Sequence, residues 1–381
     1  MINLAKREIE HTLGKFIVTS IGVGMLLGIV LIMIGVYRGM IIDAQVLLDD
    51  IGADLWIVQE NTLGPFAEAS RVHEDLKNTI KAQEGIKSAE GITFQNMQIP
   101  TSSGLVRATV VGFDPFGAFV AINPKRIVEG RGLLQQHYEM VATDKIGLKL
   151  GEKVPLGRDI YTVVGITHGS VSSGGDPLVY VSLKDAQKLQ FLYSNARIRN
   201  DRARGAKVES SHMVNAVIAK VEPAYAPDDV AKRLEEWKHK SVYTQEQERE
   251  VLTKNLIKMA SKQIGMFTVI LVVVSTIIIA LIIYTMTLEK IKEIAIMKLI
   301  GLPNSMIIKM IVQETVLMGV LAFVAANIFA HLIYTKFPKR VVLEYPDALT
   351  LFFVVLVASV LASMVGVKKV MAADPREAIG G

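Results

Sequence analysis

Apolar positions along this chain are gathered into blocks. Four windows are almost free of charge: Phe16–Val36, Ile264–Tyr284, Ile307–Ile333 and Leu349–Val367. A helix needs roughly 20 apolar residues to cross the hydrocarbon core, so each window has the length of a membrane span. The first is too long and too rich in glycine to be a secretory signal, and it has no small-residue cleavage pattern.

Between the first and second windows the pattern becomes that of a water-soluble domain. Asp54–Gln59, Ile86–Pro100, Leu105–Phe113, Asn215–Val221 and Ser241–Thr244 read as strands, and Arg71–Gln83 and Asp228–His239 as amphipathic helices. Together they make two βαβ-like halves, a split ferredoxin-like arrangement. An inserted lobe, about residues 114–213, separates the halves. Met140–Thr143, Lys153–Leu156, Ile160–Gly165 and Leu178–Val181 alternate there with Gly-rich turns, which predicts a mostly β lobe. Ser170–Pro177 and Arg197–Ser211 read as mobile, solvated loops. Gln245–Gln263 is charged and helix-forming, with Leu252, Leu256 and Met259 on one face. It reads as a stalk that extends the second span.

The expected fold is an integral membrane α-helical protein of four transmembrane helices with an α+β extracytoplasmic domain. Its segments are a cytoplasmic N-terminus at 1–15, spans at 16–37, 264–288, 307–333 and 349–367, and an outer domain at 38–262. A cytoplasmic connection at 289–306, an outer loop at 334–348 and a cytoplasmic tail at 368–381 complete it. Lys6, Arg7 and Lys15, then Lys290, Lys292, Lys298 and Lys309, then Lys368, Lys369 and Arg376 mark the cytoplasmic side. Acidic Asp43, Asp49, Asp50 and Asp54 follow the first span. Lys254, Lys258, Lys262, Lys336, Lys339 and Arg340 fall on the other side and weaken the charge argument.

Composition narrows the function. The chain is 51% hydrophobic with a formal net charge of +5. Membrane proteins keep Lys and Arg beside helix ends, and no basic patch here is interleaved with aromatics, so nucleic acid is not an expected partner. Cysteine is absent, which excludes disulfides, thiolate metal sites and cysteine nucleophiles. Neither H-E-x-x-H nor G-x-S-x-G occurs, and His137, His168 and His212 are scattered surface residues. No catalytic or metal site is expected.

Three features remain. Ser20, Gly24 and Gly28 form a small-residue stripe in the first span, continued by Gly35 and Gly39. Such a stripe serves either packing within the chain or a homodimer contact. Asn327 and His331 lie one turn apart near the outer end of the third span. They read either as the lining of a substrate cleft, with an axial haem ligand as its sharpest form, or as interfacial residues. Glu314 lies at the other end of that span. The connection TLEKIKEIAIMKLIGLPN carries Glu289 and Glu293 on one face and Ile294, Met297 and Ile300 beside them, before Gly301 and Pro303 end the helix. A short helix of this kind either lies in the headgroups or docks into a groove on a cytoplasmic partner.

The run Glu289-x-x-x-Glu293-Ile294-Ala295-x-x-Lys298-x-Ile300-Gly301 resembles the signature of the FtsX-like permease family, the MacB-type ABC transporter permeases. The tail Ala373-Asp374-Pro375-Arg376-Glu377-Ala378-Ile379 is similar to the family's terminal pattern, and the order of the outer domain looks like the MacB-type periplasmic domain. Leu299 departs from the alanine common in the family, and the chain ends in Gly380-Gly381 where a basic residue is common. The resemblance implies that Glu289, Glu293, Ile294, Met297, Lys298, Ile300, Gly301 and Leu302 form a coupling helix docking on an ABC ATPase dimer. No G-x-x-x-x-G-K-[ST] loop is present, so ATP and Mg are expected on that partner, with no cofactor on this chain. It further implies self-association as a homodimer or with a homologous permease, contact with lipid, and a place in the bacterial inner membrane with both termini cytoplasmic. A periplasmic adaptor and an outer-membrane channel would complete a tripartite version. The expected function is a non-enzymatic transport subunit that moves an amphipathic substrate by mechanotransmission. The alternative is a signalling subunit that regulates a periplasmic partner without moving cargo.

Overall fold

The computed structural model describes residues 13–192, 212–289, 291–337 and 339–372. Lys6, Arg7, the Arg197–Ser211 loop, Lys290 and the tail from Ala373 lie outside the described residues. The chain divides into two compact units: residues 1–39 with 260–381, and residues 40–259.

The first helix, α1 (Leu13–Ile51), does not stop at the end of its apolar window. Its last turns place Asp43, Asp49 and Asp50 on the helix instead of in a loop. They do so because Leu47, Leu48 and Ile51 have a core to enter, the one containing Trp56, Ile92, Val111 and Tyr180. Burial of such side chains stabilises by about 1.5–3 kcal/mol each, enough to carry a helix past isolated polar positions.

The outer domain continues with β1 (Leu55–Val58), a short α2 (Gly64–Ala67), β2 (Val72–His73), α3 (Leu76–Lys81), β3 (Ile86–Thr101) and β4 (Gly104–Phe113). Then come β5 (Ile127–Gly130), β6 (Glu139–Thr143), β7 (Lys153–Leu156), β8 (Asp159–Thr167), β9 (Leu178–Ser182) and α4 (Leu183–Leu192). The last part is β10 (Met213–Val214), β11 (Ala216–Val221), α5 (Pro227–Lys238), β12 (Ser241–Thr244) and α6 (Gln245–Val251). The main sheet runs β12-β1-β11-β3-β4-β9-β6-β8-β5, with β7 on β8. Strands β12, β1, β11 and β3 each run antiparallel to their neighbours, in the registers Leu55 to Thr244, Trp56 to Ile218 and Val217 to Gly91. In order of sequence these are strands four, one, three and two, the ferredoxin-like order. Alternate residues of β1 face opposite sides. Leu55 and Ile57 pack with Ile80, Val230 and Leu234 of the crossing helices, while Trp56 and Val58 join the α1 core.

Three expectations change. Arg71–Gln83 is helical only over Leu76–Lys81, because Val72 and His73 pair instead with Val214 and Met213. The inserted lobe begins earlier than residue 114: β3 leaves β11 at Ile92 and pairs with β4 from Thr93, and β4 pairs parallel with β9. The Ser170–Pro177 loop is a closed turn. Ser172 and Asp176 bond through their backbones at 2.8 Å and Val171 bridges Pro177.

From Gln245 the chain stays helical to Glu289, through α6, a π turn at Leu252–Ile257 and α7 (Lys258–Glu289). Thr244 and Gln247 form a reciprocal capping box at its start. The remaining helices are α8 (Ile291–Leu299), α9 (Asn304–Ile333) and α10 (Tyr345–Ala372). Among the described residues, four helices are long and apolar enough to cross a membrane: Phe16–Ile51, Ser261–Glu289, Asn304–Lys336 and Tyr345–Lys368.

Candidate functional site

The connection between the second and third spans is built around α8. Its C-terminus is closed by a Schellman motif. The Leu302 amide donates to the Met297 carbonyl at 3.0 Å, and the Gly301 amide to the Lys298 carbonyl at 3.1 Å. Gly301 has φ +92°, a conformation that glycine adopts without strain. Pro303 then opens α9. Gly301 and Pro303 therefore end one helix and start the next, as their order in the sequence predicts.

The eight coupling candidates separate by exposure. Glu289, Glu293, Ile300 and Gly301 are exposed, Met297, Lys298 and Leu302 are half-buried, and Ile294 is buried together with Ala295. Ile294 therefore anchors α8 within the chain. The exposed apolar row consists of Ile296, Leu299 and Ile300, of which Ile300 is 74% exposed. Sequence reasoning missed Ile296 and Leu299 because the helical period alone does not say which face is covered.

The small-residue stripe of α1 packs against α9 of the same chain. A methyl group on Gly24 would lie 2.6 Å from the Ala325 side chain and 2.7 Å from the Ala322 carbonyl. One on Gly28 would lie 2.6 Å from Phe329. Ser20 is buried as well. Helices approach this closely in lipid through small residues, since apolar contact gains nothing over lipid tails. Gly319 against Ser359, and Gly366 against Ile283 and Thr287, repeat the device at the α9–α10 and α7–α10 contacts. Gly24 and Gly28 thus serve packing within the chain.

Asn327 and His331 line one recess of about 160 Å³ with Leu31, Gly35, Glu344 and Asp347. His331 Nδ1 donates to the Asn327 carbonyl at 2.9 Å, which in the neutral ring leaves Nε2 as an acceptor. Beside it, the Arg38 guanidinium bonds Asp347 through Nε and, at 2.8 Å, through Nη2, and meets Glu344 at 2.9 Å. The Val342 amide donates to the Gly35 carbonyl at 3.0 Å, so the strap between α9 and α10 lies directly on α1. Sequence reasoning missed Arg38, Glu344 and Asp347, because Arg38 lies about three hundred positions from the two carboxylates along the chain. Their one local signal was a charge at the edge of each apolar window.

One titratable group of the outer domain stands out. Glu248 of α6 is fully buried, and neither carboxyl oxygen has a hydrogen-bond partner among the described residues. It packs on the Cα of Gly64, where an added methyl group would come within 2.5 Å of both oxygens. Burial pushes its pKa up to about 8, so at neutral pH the group is mostly the neutral acid. The π turn begins four residues later, at Leu252. Single π turns inside α-helices are frequent at functional positions.

Comparison with known proteins matches two successive stretches of the chain, the first of which takes in the first span together with most of the outer domain. The MacB-like periplasmic core domain model matches residues 16–237, and the FtsX-like permease C-terminal model matches residues 265–375. An uncharacterized ABC transporter permease of Mycobacterium tuberculosis is 23% identical over the full length of both chains. Another, from Mycobacterium bovis, is 22% identical, again over the full length of both. The periplasmic region of MacB from Actinobacillus actinomycetemcomitans aligns with 54% of this chain and 95% of its own, at 12% identity and a TM-score of 0.36. The extracellular domain of the noncanonic ABC-type transporter YknZ from Gram-positive bacteria aligns with 50% and 99%, at 16% identity and a TM-score of 0.32.

Proposed function

This chain belongs to the MacB and FtsX type of ABC transporter permease, and from that premise we propose that it couples ATP hydrolysis on a separate cytoplasmic ATPase dimer to movement of its outer domain. ATP and Mg are held by the partner. α8 receives the closure of the ATPase, and α7 with α6 carries the motion outward. The cargo is amphipathic, taken from the outer leaflet or the space beyond it, because four spans leave little room for a continuous pore. Both termini are cytoplasmic and the chain sits in the bacterial inner membrane. It works as a homodimer or beside a homologous permease, with an adaptor and outer-membrane channel in a tripartite version.

The observation that supports this reading is α8 itself. It is a short, sharply capped helix between two spans that turns Glu293, Ile296 and Leu299 outward, with Glu289 exposed just before it and Ile300 just after. Its exposed apolar residues suit a groove on the ATPase surface.

Gly301→Pro removes the Schellman geometry, since proline is held near φ −65°. Glu293→Lys reverses an exposed charge. Both variants are expected to insert normally in the membrane and to lose substrate-stimulated ATPase activity when reconstituted with the ATPase. Full stimulation in both would sink the coupling role. A co-purifying wall hydrolase, with no substrate able to stimulate the ATPase, would favour the signalling alternative instead.

A further inference from the structure

The outer domain carries a cleft of about 340 Å³ between the segment 65–69 and the turn 172–176, within the size range of small-molecule sites. Its floor is the end of an aromatic row. Trp56 lies in the core, Phe66 stands 5.3 Å from it, and Phe94 stands 4.8 Å from Phe66. The inner ring is fully buried and the outer two are half-buried, so the row delivers an apolar surface to the cleft.

The walls are fixed. Asn215 Oδ1 accepts from the Phe94 amide at 2.9 Å, and its Nδ2 donates to the Ser70 carbonyl at 3.1 Å, tying β3 to the neighbouring segment. On the paired strands β3 and β4, Thr109 donates to Asn96 Oδ1 at 2.7 Å.

The rim is charged in both signs. Arg107 meets Asp176 at 3.4 Å with most of its side chain in solvent, and Glu68 is exposed on the facing segment. An exposed pair of this kind contributes little by itself, so its members are free to exchange for other partners. An anionic group suits Arg107, and a cationic group beside it suits Asp176 and Glu68. An apolar chain suits the Phe66–Phe94 floor.

We propose that this cleft binds a zwitterionic amphiphile with a single apolar chain, its chain on Phe66 and Phe94 and its head between Arg107 and Asp176. The inference rests on the amphipathic-cargo reading above and gives that cargo a site on the outer domain.

The protein contains two tryptophans and no cysteine. In a Trp237→Phe background, Trp56 becomes the only tryptophan and sits against the cleft floor. The test titrates acyl-brominated lysophosphatidylcholine into the full chain in nanodiscs of unbrominated lipid. Saturable quenching of Trp56 is expected. Arg107→Glu is expected to weaken it by about tenfold, and Phe94→Asp to remove it. Circular dichroism of both variants checks that the domain remains folded. A brominated alkyl maltoside, whose head is uncharged, should bind more weakly and ignore Arg107→Glu. Absence of saturable quenching in the parent, or equal quenching in both variants, would overturn the site. Equal binding of the maltoside would overturn the zwitterionic head. The titration contains no ATPase, so its failure leaves coupling standing, and loss of coupling in Gly301→Pro leaves the quenching unchanged.

Discussion

Each unit has its own internal packing, and the two differ in emphasis. In the helical unit the contacts that decide packing are glycines and their neighbours: Gly24 on Ala322 and Ala325, Gly319 on Ser359, Gly366 on Ile283. In the outer domain they are large side chains fully removed from solvent, with Trp56, Tyr161 and Tyr180 the largest. The difference follows from the medium. In water, apolar area removed from solvent is the driving force. In lipid it is not, and close backbone approach takes its place. Adding atoms should therefore injure the helical unit, and removing them should injure the outer domain.

Trp56→Ala should have the largest effect, about 3–5 kcal/mol of outer-domain stability, read by denaturant unfolding. A loss below about 1 kcal/mol would mean that the α1 core is not the centre of that domain.

Glu248 comes next, because it is the one carboxylate described as buried without a hydrogen-bond partner. Its folded pKa, about 8, lies above the ordinary carboxylate value, so the folded state binds the proton more tightly than the unfolded chain does. Below the ordinary value both states are protonated and stability is at its full, pH-independent level. Stability then falls by about 1.4 kcal/mol per unit as pH rises toward 8, and levels off above that. Glu248→Gln should remove this slope and be more stable than the parent at pH 7. Identical pH profiles for the two proteins would show that the carboxyl finds a partner in solution.

Gly24→Leu should follow, at about 1–3 kcal/mol or more through overpacking, while Gly22→Leu, two positions away with open space around it, should be silent. Thermal unfolding in detergent compares them directly. Equal effects would remove the α1–α9 contact as the role of the stripe.

Much of this was legible in the sequence because the signals were local. The four apolar windows, the separate strands and helices of the two βαβ-like halves and the Gly301–Pro303 break all rest on spacing within a few residues. The far end of α1 was not legible, since Asp43, Asp49 and Asp50 read as an exit from the membrane. Only the core that receives Leu47, Leu48 and Ile51 explains the continued helix. The β2–β10 pair was hidden for a similar reason, its partners being about 140 positions apart. The site was half legible. The motif falls on a short helix, α8, as its spacing predicts, but the inward turn of Ile294 and the outward row of Ile296, Leu299 and Ile300 depend on what α8 packs against. The carboxylates that share the recess with His331, Glu344 and Asp347, come from the next helix and its approach.

The most direct test of the coupling role uses the natural absence of cysteine. Single cysteines at Ile294, Ile296 and Ile300 are introduced into the full chain, co-expressed with an ABC ATPase and treated with a thiol-to-amine cross-linker. The account predicts permease–ATPase adducts from Ile296→Cys and Ile300→Cys and none from Ile294→Cys. Adducts from Ile294→Cys alone, or from none of the three, would contradict it.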